Sequence, residues 1–164
     1  MQFLFYKDFL DLKDLNKIKK DIEKNFKSNK HRDFLKSGVQ TKPNLHLINT
    51  GQHWKNYYTK LKNIMTQLKK YKLTKSWSLK VNKKQENFFH VHQKNSFTSI
   101  LYVQNKNYEL GTHLKQENLG GKHEIIIPGY ENSIAIFSGD IMHDAVFPNY
   151  TLKKPRYTLI TDYE

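Results

Sequence analysis

The stretch FFHVHQKNSFTSILYV, residues 88–103, sets His90 and His92 one residue apart and runs on into a segment rich in strand-forming Thr, Ile, Tyr and Val. On a strand, side chains at i and i+2 share a face, so both imidazoles can reach one point while Val91 turns away. Such a pair is either part of a metal site or two polar residues on an ordinary strand. A third donor from elsewhere in the chain decides between these readings. His143, in FSGDIMHDAVFP just after a turn at Gly139-Asp140, is the best-placed candidate.

The surrounding pattern sets the fold. From Lys75 onward the apolar period is two: Trp77, Leu79 and Val81 alternate with Ser78 and Lys80, which predicts a half-buried strand. Further short strands are expected over residues 88–92, 97–103, 108–115, 123–127, 133–137, 142–147 and 157–162. Turn residues separate most of them, including Gly120-Gly121, Pro128-Gly129 and Ser138-Gly139-Asp140. Eight short strands in this span predict a mainly β, α+β chain built as a β-sandwich or as a jelly roll, the double-stranded β-helix.

Ahead of it lie a short strand at residues 2–6 and a helix capped by Asp11 or Asp14 and reaching about Asn25, with Leu12, Leu15, Ile18 and Ile22 in one stripe. A loop follows at residues 27–38, then a strand at residues 43–48 with Leu45 and Leu47 on one face. A second helix fits His53 to about Tyr71, burying Tyr57, Leu61, Ile64, Met65 and Leu68. We expect one domain over residues 1–164: residues 1–75 form a front section packed outside the barrel, and residues 76–164 form the jelly-roll core.

Composition narrows the chemistry. The 164 residues include no cysteine, which excludes disulfides, zinc–thiolate sites and thiol nucleophiles. No apolar run is long enough to span a membrane and no signal peptide is evident, so a cytoplasmic protein with no membrane partner is the expectation. The net charge of +13 is uneven: residues 1–94 hold 22 Lys/Arg against 7 Asp/Glu. A basic half of this kind suits nucleic acid or another polyanion. The lysine- and asparagine-rich coding of an AT-rich genome yields the same charge as a solvated surface.

Arginine is scarce, standing only at Arg32 and Arg156 among 28 basic residues. A chain that otherwise uses lysine keeps arginine where a flat, two-pronged donor is needed. On the last strand Arg156 and Thr158 share a face. A guanidinium and a hydroxyl together suit a carboxylate. Trp77, His90-Val91-His92, the segment 96–103 ending in Tyr-Val, IFSGDIMH ending at His143, and Arg156-Tyr157-Thr158 occur in an order that resembles the iron(II)/2-oxoglutarate-dependent oxygenases. The likeness is greatest to members known from bacteria and bacteriophages, and it covers residues 76–163. It implies that Fe(II) is held by His90 and His143, and that 2-oxoglutarate is anchored on Arg156 and Thr158 with help from the Tyr102 hydroxyl. O2 would be consumed, releasing succinate and CO2 while a substrate is hydroxylated. A phage-infected host cell becomes one setting for it.

One departure stands out. That family's triad is two histidines and a carboxylate, in a His-x-Asp or His-x-Glu pattern, and here the second position is His92. Three readings follow: a three-histidine site of His90, His92 and His143, a His92 outside the first shell, or a site without catalysis. Asp144 is disfavoured because strand neighbours point apart, and Asp140 lies on a turn. A cupin-type metalloprotein and a non-catalytic jelly-roll binding module are the alternatives. Cupins add a glutamate shortly after the histidine pair, and residues 93–97 contain no carboxylate. His31, His46, His53, His113 and His123 are assigned to structure or surface. The substrate, small molecule or protein, is not encoded in any motif. Residues 27–38, 82–87 and 116–122 are the expected rims.

Overall fold

The computed structural model describes residues 1–29, 39–83, 88–118 and 121–164. Twelve elements follow in chain order: β1 (Phe3–Tyr6), α1 (Leu12–Ser28), β2 (Val39–Gln40), α2 (Leu45–Ile48), α3 (Gln52–Gln67), β3 (Leu73–Val81), β4 (Phe97–Gln104), β5 (Thr112–Asn118), β6 (Gly121–Ile127), β7 (Ile134–Ser138), β8 (Met142–Ala145) and β9 (Arg156–Tyr163). The strands form a six-stranded sheet in the order β1-β7-β4-β9-β3-β2 and a three-stranded sheet in the order β6-β5-β8. All named pairings are antiparallel. This is the expected mainly β architecture with amino-terminal helices against one sheet.

Strand alternation splits the large sheet into two faces. Leu101, Val103, Ile134, Ile136, Tyr157, Leu159 and Tyr163 pack with Leu15, Ile18, Ile22, Trp54, Tyr57, Leu61 and Met65 of α1 and α3. On the other face, Leu79, Val81, Ile100, Tyr102, Ala135, Phe137 and Ile160 meet Leu114 and Ile127 of the small sheet. The residues one step out of phase on β9, from Arg156 through Thr158 and Ile160 to Asp162, therefore share the face that looks into the barrel.

The helices form as their stripes require. Asp11 caps α1 by accepting from Lys13 N at 2.7 Å. Asp21 ties α1 to α3 through Trp54 Nε1 at 2.9 Å and His53 Nε2 at 2.7 Å. Leu12, expected inside, is 66% exposed, because the stripe that packs begins a turn later at Leu15.

The strand expected at residues 43–48 is instead the single turn α2. Asn49 folds back so that its backbone N and Nδ2 both donate to Leu45 O, and only Leu45 is buried while Leu47 is 69% exposed. β3 is buried on both faces rather than half-buried. Ser76 and Ser78 are enclosed on the helix side, where Ser76 Oγ meets Tyr58 OH and Ser78 Oγ donates to Thr158 O.

Residues 88–92 do not form a strand. A single bridge joins His90 to His143, and the next ladder position is abandoned because His92 N donates to Gly139 O at 2.7 Å. β5 starts at Thr112 rather than Tyr108, since Asn105 Nδ2 holds Leu110 O and Gly129 O in a turn. Among the described residues no helix is long and apolar enough to cross a membrane. The expected loop and rim positions 30–38, 84–87 and 119–120, with His31 and Arg32, lie outside the described residues.

Candidate metal centre and adjoining cavity

His90, His92 and His143 come together. One ring nitrogen of each lies within 4.8 Å of the others, and the ring centroids are 4.5 to 5.3 Å apart. The reciprocal bridge between His90 and His143 fixes two of them: His90 N donates to His143 O at 3.1 Å and His143 N to His90 O at 2.9 Å. The third is set by two tight turns. Asn95 adopts φ 66°, a left-handed conformation that Asn tolerates well, and the turn closes with Ser96 N donating to Gln93 O. Gly139 passes so close that a Cβ there would lie 2.1 Å from Ser96 Oγ, so a side chain would push the His92 segment away.

Every Nδ1 in the cluster is engaged. His90 Nδ1 meets Phe88 O at 2.9 Å, and His143 Nδ1 meets Ile141 O at 3.0 Å. His92 Nδ1 meets Asp162 Oδ1 at 2.8 Å and Thr98 Oγ1 at 2.7 Å. Carbonyl and carboxylate oxygens only accept, so each ring carries its proton on Nδ1 and offers the Nε2 lone pair. Burial, reinforced by the other two imidazoles, pulls the His143 pKa down to about 3. Burial likewise lowers that of His90. Neutral imidazoles with free Nε2 lone pairs fit a first-row transition metal such as iron. Phe88 stacks on His90, Trp77 lies against His92, and Phe137 meets His143 edge-on, so each imidazole packs against an aromatic ring.

A cavity of about 50 Å³ adjoins the cluster, lined by all three histidines together with Thr112, Asp144, Arg156 and Thr158. Arg156 is 2% exposed. Its hydrogen bonds among the described residues all leave from Nη1, to Leu110 O at 2.7 Å, Val146 O at 2.8 Å and Gly111 O at 3.3 Å. One nitrogen thus fastens β9 to the backbone of the small-sheet side. No carboxylate lies within ion-pair distance of Arg156 among the described residues. Burial pulls its pKa down to about 10. The Asp144 carboxylate on the same cavity offsets part of the guanidinium charge without forming an ion pair, and a buried cation left without a direct partner favours an incoming anion.

Thr158 lines the same cavity, as the shared strand face requires. Tyr102 does not. It is fully buried, and its hydroxyl meets Thr112 Oγ1 at 2.6 Å, so Thr112 presents the hydroxyl to the cavity. Asp144 lines the cavity too, but its carboxylate accepts from Phe88 N at 2.5 Å and Ala145 N at 2.7 Å and is outside the histidine cluster. Asp140 is occupied by Ser138 Oγ on its turn. His53 pairs with Asp21 and His113 with Glu124, away from the cluster.

Sequence reasoning passed over Thr98, Thr112 and Asp162. Parity would have found Asp162, since it shares the β9 face with Arg156 and Thr158. A wider cleft of about 410 Å³ leads outward from His90 and His92, walled by Gln40, Thr41, Pro43, Lys75, Trp77, Phe88 and Val91.

No family model and no curated protein matches the sequence. Solved structures do match. The non-heme alpha ketoglutarate dependent epimerase SnoN from nogalamycin biosynthesis superposes with a TM-score of 0.76 at 13% identity, covering 99% of this chain and 77% of its own. The fold is that of the iron(II)/2-oxoglutarate-dependent oxygenases. A prolyl hydroxylase from Trichoplax adhaerens, solved with a hypoxia inducible factor peptide, aligns at 0.74 and 12% identity over 98% of this chain and 82% of its own. A Pseudomonas putida prolyl-4-hydroxylase aligns at 0.70 and 12% identity over 98% and 91%. SnoN has also been solved with Fe3+, alpha ketoglutarate and nogalamycin RO. Within this fold, the His90, His92 and His143 cluster and Arg156 open onto one cavity inside the barrel.

Proposed function

We propose that the protein is an iron(II)- and 2-oxoglutarate-dependent dioxygenase that hydroxylates a substrate entering through the cleft beside His90. The observation that carries this reading is Arg156: a buried guanidinium with no carboxylate partner among the described residues, on the same cavity as three metal-ready imidazoles. His90, His92 and His143 are the proposed ligands, each through Nε2. Arg156 pairs with the far carboxylate of 2-oxoglutarate through its nitrogens other than Nη1, and Thr158 adds a hydroxyl. Tyr102 acts through Thr112, to which its hydroxyl is bonded. Bound iron supplies the oxidising chemistry, in which RH, 2-oxoglutarate and O2 become ROH, succinate and CO2.

The protein's own part is orientation and exclusion of water. The Nδ1 contacts hold each ring in one tautomer, the aromatic rings flank the donors, and the unpaired Arg156 supplies the charge that selects a dicarboxylate over a neutral ketone. SnoN, solved with Fe3+ and alpha ketoglutarate, supports the assignment through likeness of fold.

The test is succinate release on adding iron(II) and 2-oxoglutarate to the purified chain, read by mass spectrometry. Wild type should turn over even without substrate, slowly. Arg156→Ala should abolish release while one equivalent of metal still binds. Arg156→Lys should restore only part, since a point charge replaces a two-pronged donor. Succinate release by Arg156→Ala at the wild-type rate would sink the cosubstrate assignment.

A further inference from the structure

The three histidines are not held alike. His90 and His143 give their Nδ1 protons to neutral backbone carbonyls, those of Phe88 and Ile141. His92 gives its proton to a carboxylate, Asp162 Oδ1, at 2.8 Å. The position where the resembling oxygenases carry a carboxylate ligand is thus the one imidazole backed by a carboxylate.

The arrangement is built, not incidental. Thr98 and Asp162 are cross-strand partners on β4 and β9, both facing the barrel interior. The Thr98 hydroxyl donates to the same Oδ1 at 2.9 Å, which leaves its own lone pair toward the His92 Nδ1–H at 2.7 Å. Asp162 is 6% exposed, and among the described residues no lysine or arginine lies within ion-pair distance of it. Buried charges are ordinarily paired or held at metal sites, and the side-chain partners of Asp162 are the neutral His92 imidazole and the Thr98 hydroxyl. Asp144, the other buried acid near the cluster, accepts from backbone N–H groups, and among the described residues it makes no hydrogen bond to a ring nitrogen.

We propose that Asp162 is the carboxylate of this metal site, moved one shell outward: a positioning residue that acts on the metal through His92. Two neutral imidazoles and one carboxylate carry a net charge of minus one toward iron(II). Three neutral imidazoles carry none, and Asp162 returns that charge at one hydrogen bond's distance. Its bond fixes the His92 tautomer and makes His92 the strongest electron donor of the three. Thr98 pins the accepting oxygen. The inference rests on the proposed three-histidine metal site and goes beyond it by assigning the source of the missing negative charge.

The experiment is a metal titration of the full chain with Co(II), followed by its visible absorption and by calorimetry, with anaerobic Fe(II) as the second ion. Wild type should bind one equivalent and His143→Ala should lose it. If wild type binds no metal, or His143→Ala binds as wild type does, the metal reading falls and this inference with it. With that reading standing, Asp162→Asn should weaken binding by about 10- to 100-fold and shift the Co(II) spectrum.

His92→Asp returns the carboxylate to the first shell and provides the decisive background. There a second carboxylate behind it is repulsive, so adding Asp162→Asn should leave affinity unchanged or tighten it. An equal loss in both backgrounds would show a purely structural Asp162, and an Asp162→Asn affinity within about threefold of wild type would likewise overturn the proposal. Thr98→Val, which keeps the shape, should show a smaller weakening of the same sign. It carries the test if Asp162→Asn does not fold by circular dichroism, and in that case unchanged affinity in Thr98→Val overturns the proposal.

Discussion

The two faces of the six-stranded sheet are made by the same strands and have opposite characters. The helix-side face is closed: Leu101, Leu159, Ile134 and Ile136 meet Trp54, Tyr57, Leu61 and Met65, all fully or almost fully buried. Its polar atoms are paired among themselves, with Tyr57 OH on Thr161 Oγ1 at 2.9 Å and Tyr58 OH on Ser76 Oγ at 3.1 Å. The barrel-side face interrupts its apolar core of Tyr102, Phe137 and Ile160 with Arg156, Thr158 and Asp162, buried polar groups that line the cavity and the cleft beside the histidine cluster. One face spends its residues on stability. The other tolerates a buried cation and a buried carboxylate facing three clustered imidazoles, an arrangement that a stability-only core would not retain.

That contrast can be broken from either side. Trp54→Ala should give the largest effect on stability, about 3–5 kcal/mol in chemical denaturation, from the lost indole volume and its bond to Asp21. Metal affinity of the protein still folded should stay within about twofold of wild type. A metal site that collapsed with it would erase the division between the two faces.

Gly139→Ala tests the barrel side. The added Cβ collides with Ser96 Oγ, so the His92 segment must move. Stability should fall by about 1–3 kcal/mol, and metal affinity should fall with it, about tenfold, in the same calorimetric titration. Tyr57→Phe sharpens the helix side. It removes one buried hydroxyl pair and should cost about 1 kcal/mol, with succinate release unchanged. The smallest effect belongs to Ile126→Ser on β6, whose residues from Gly121 to Ile126 are exposed. Thermal unfolding should register a change within about 0.5 kcal/mol.

Much of this was legible beforehand because it depends on local period. The alternation in β3, β4, β7 and β9 is visible in the residue order, and it assigns Arg156 and Thr158 to one face without any coordinates. The His90 and His92 rings do converge, although the segment that carries them is an extended turn bridged once rather than a strand. Residues 43–48 were misread because Leu45 and Leu47 fit a strand's period equally well, and the Asn49 bonds that close a helical turn leave no mark on hydrophobicity. Trp54 escaped the expected stripe even though it stands three residues before Tyr57, at helical spacing.

The division between sequence and tertiary structure follows the range of the interactions. By itself the sequence determined the strand period, the amphipathic helices, the histidine pair and the lone arginine of the last strand, since each is set by neighbours within one or two turns of chain. Which distant groups meet was decided only by sheet order and register. Pairing β9 with β4 sets Asp162 beside Thr98, and the β8 bridge sets His143 against His90. Closing the small sheet over the large one leaves Arg156 buried with no carboxylate partner among the described residues. Those meetings join residues far apart in the chain, and a one-residue change of register would turn each side chain to the opposite face.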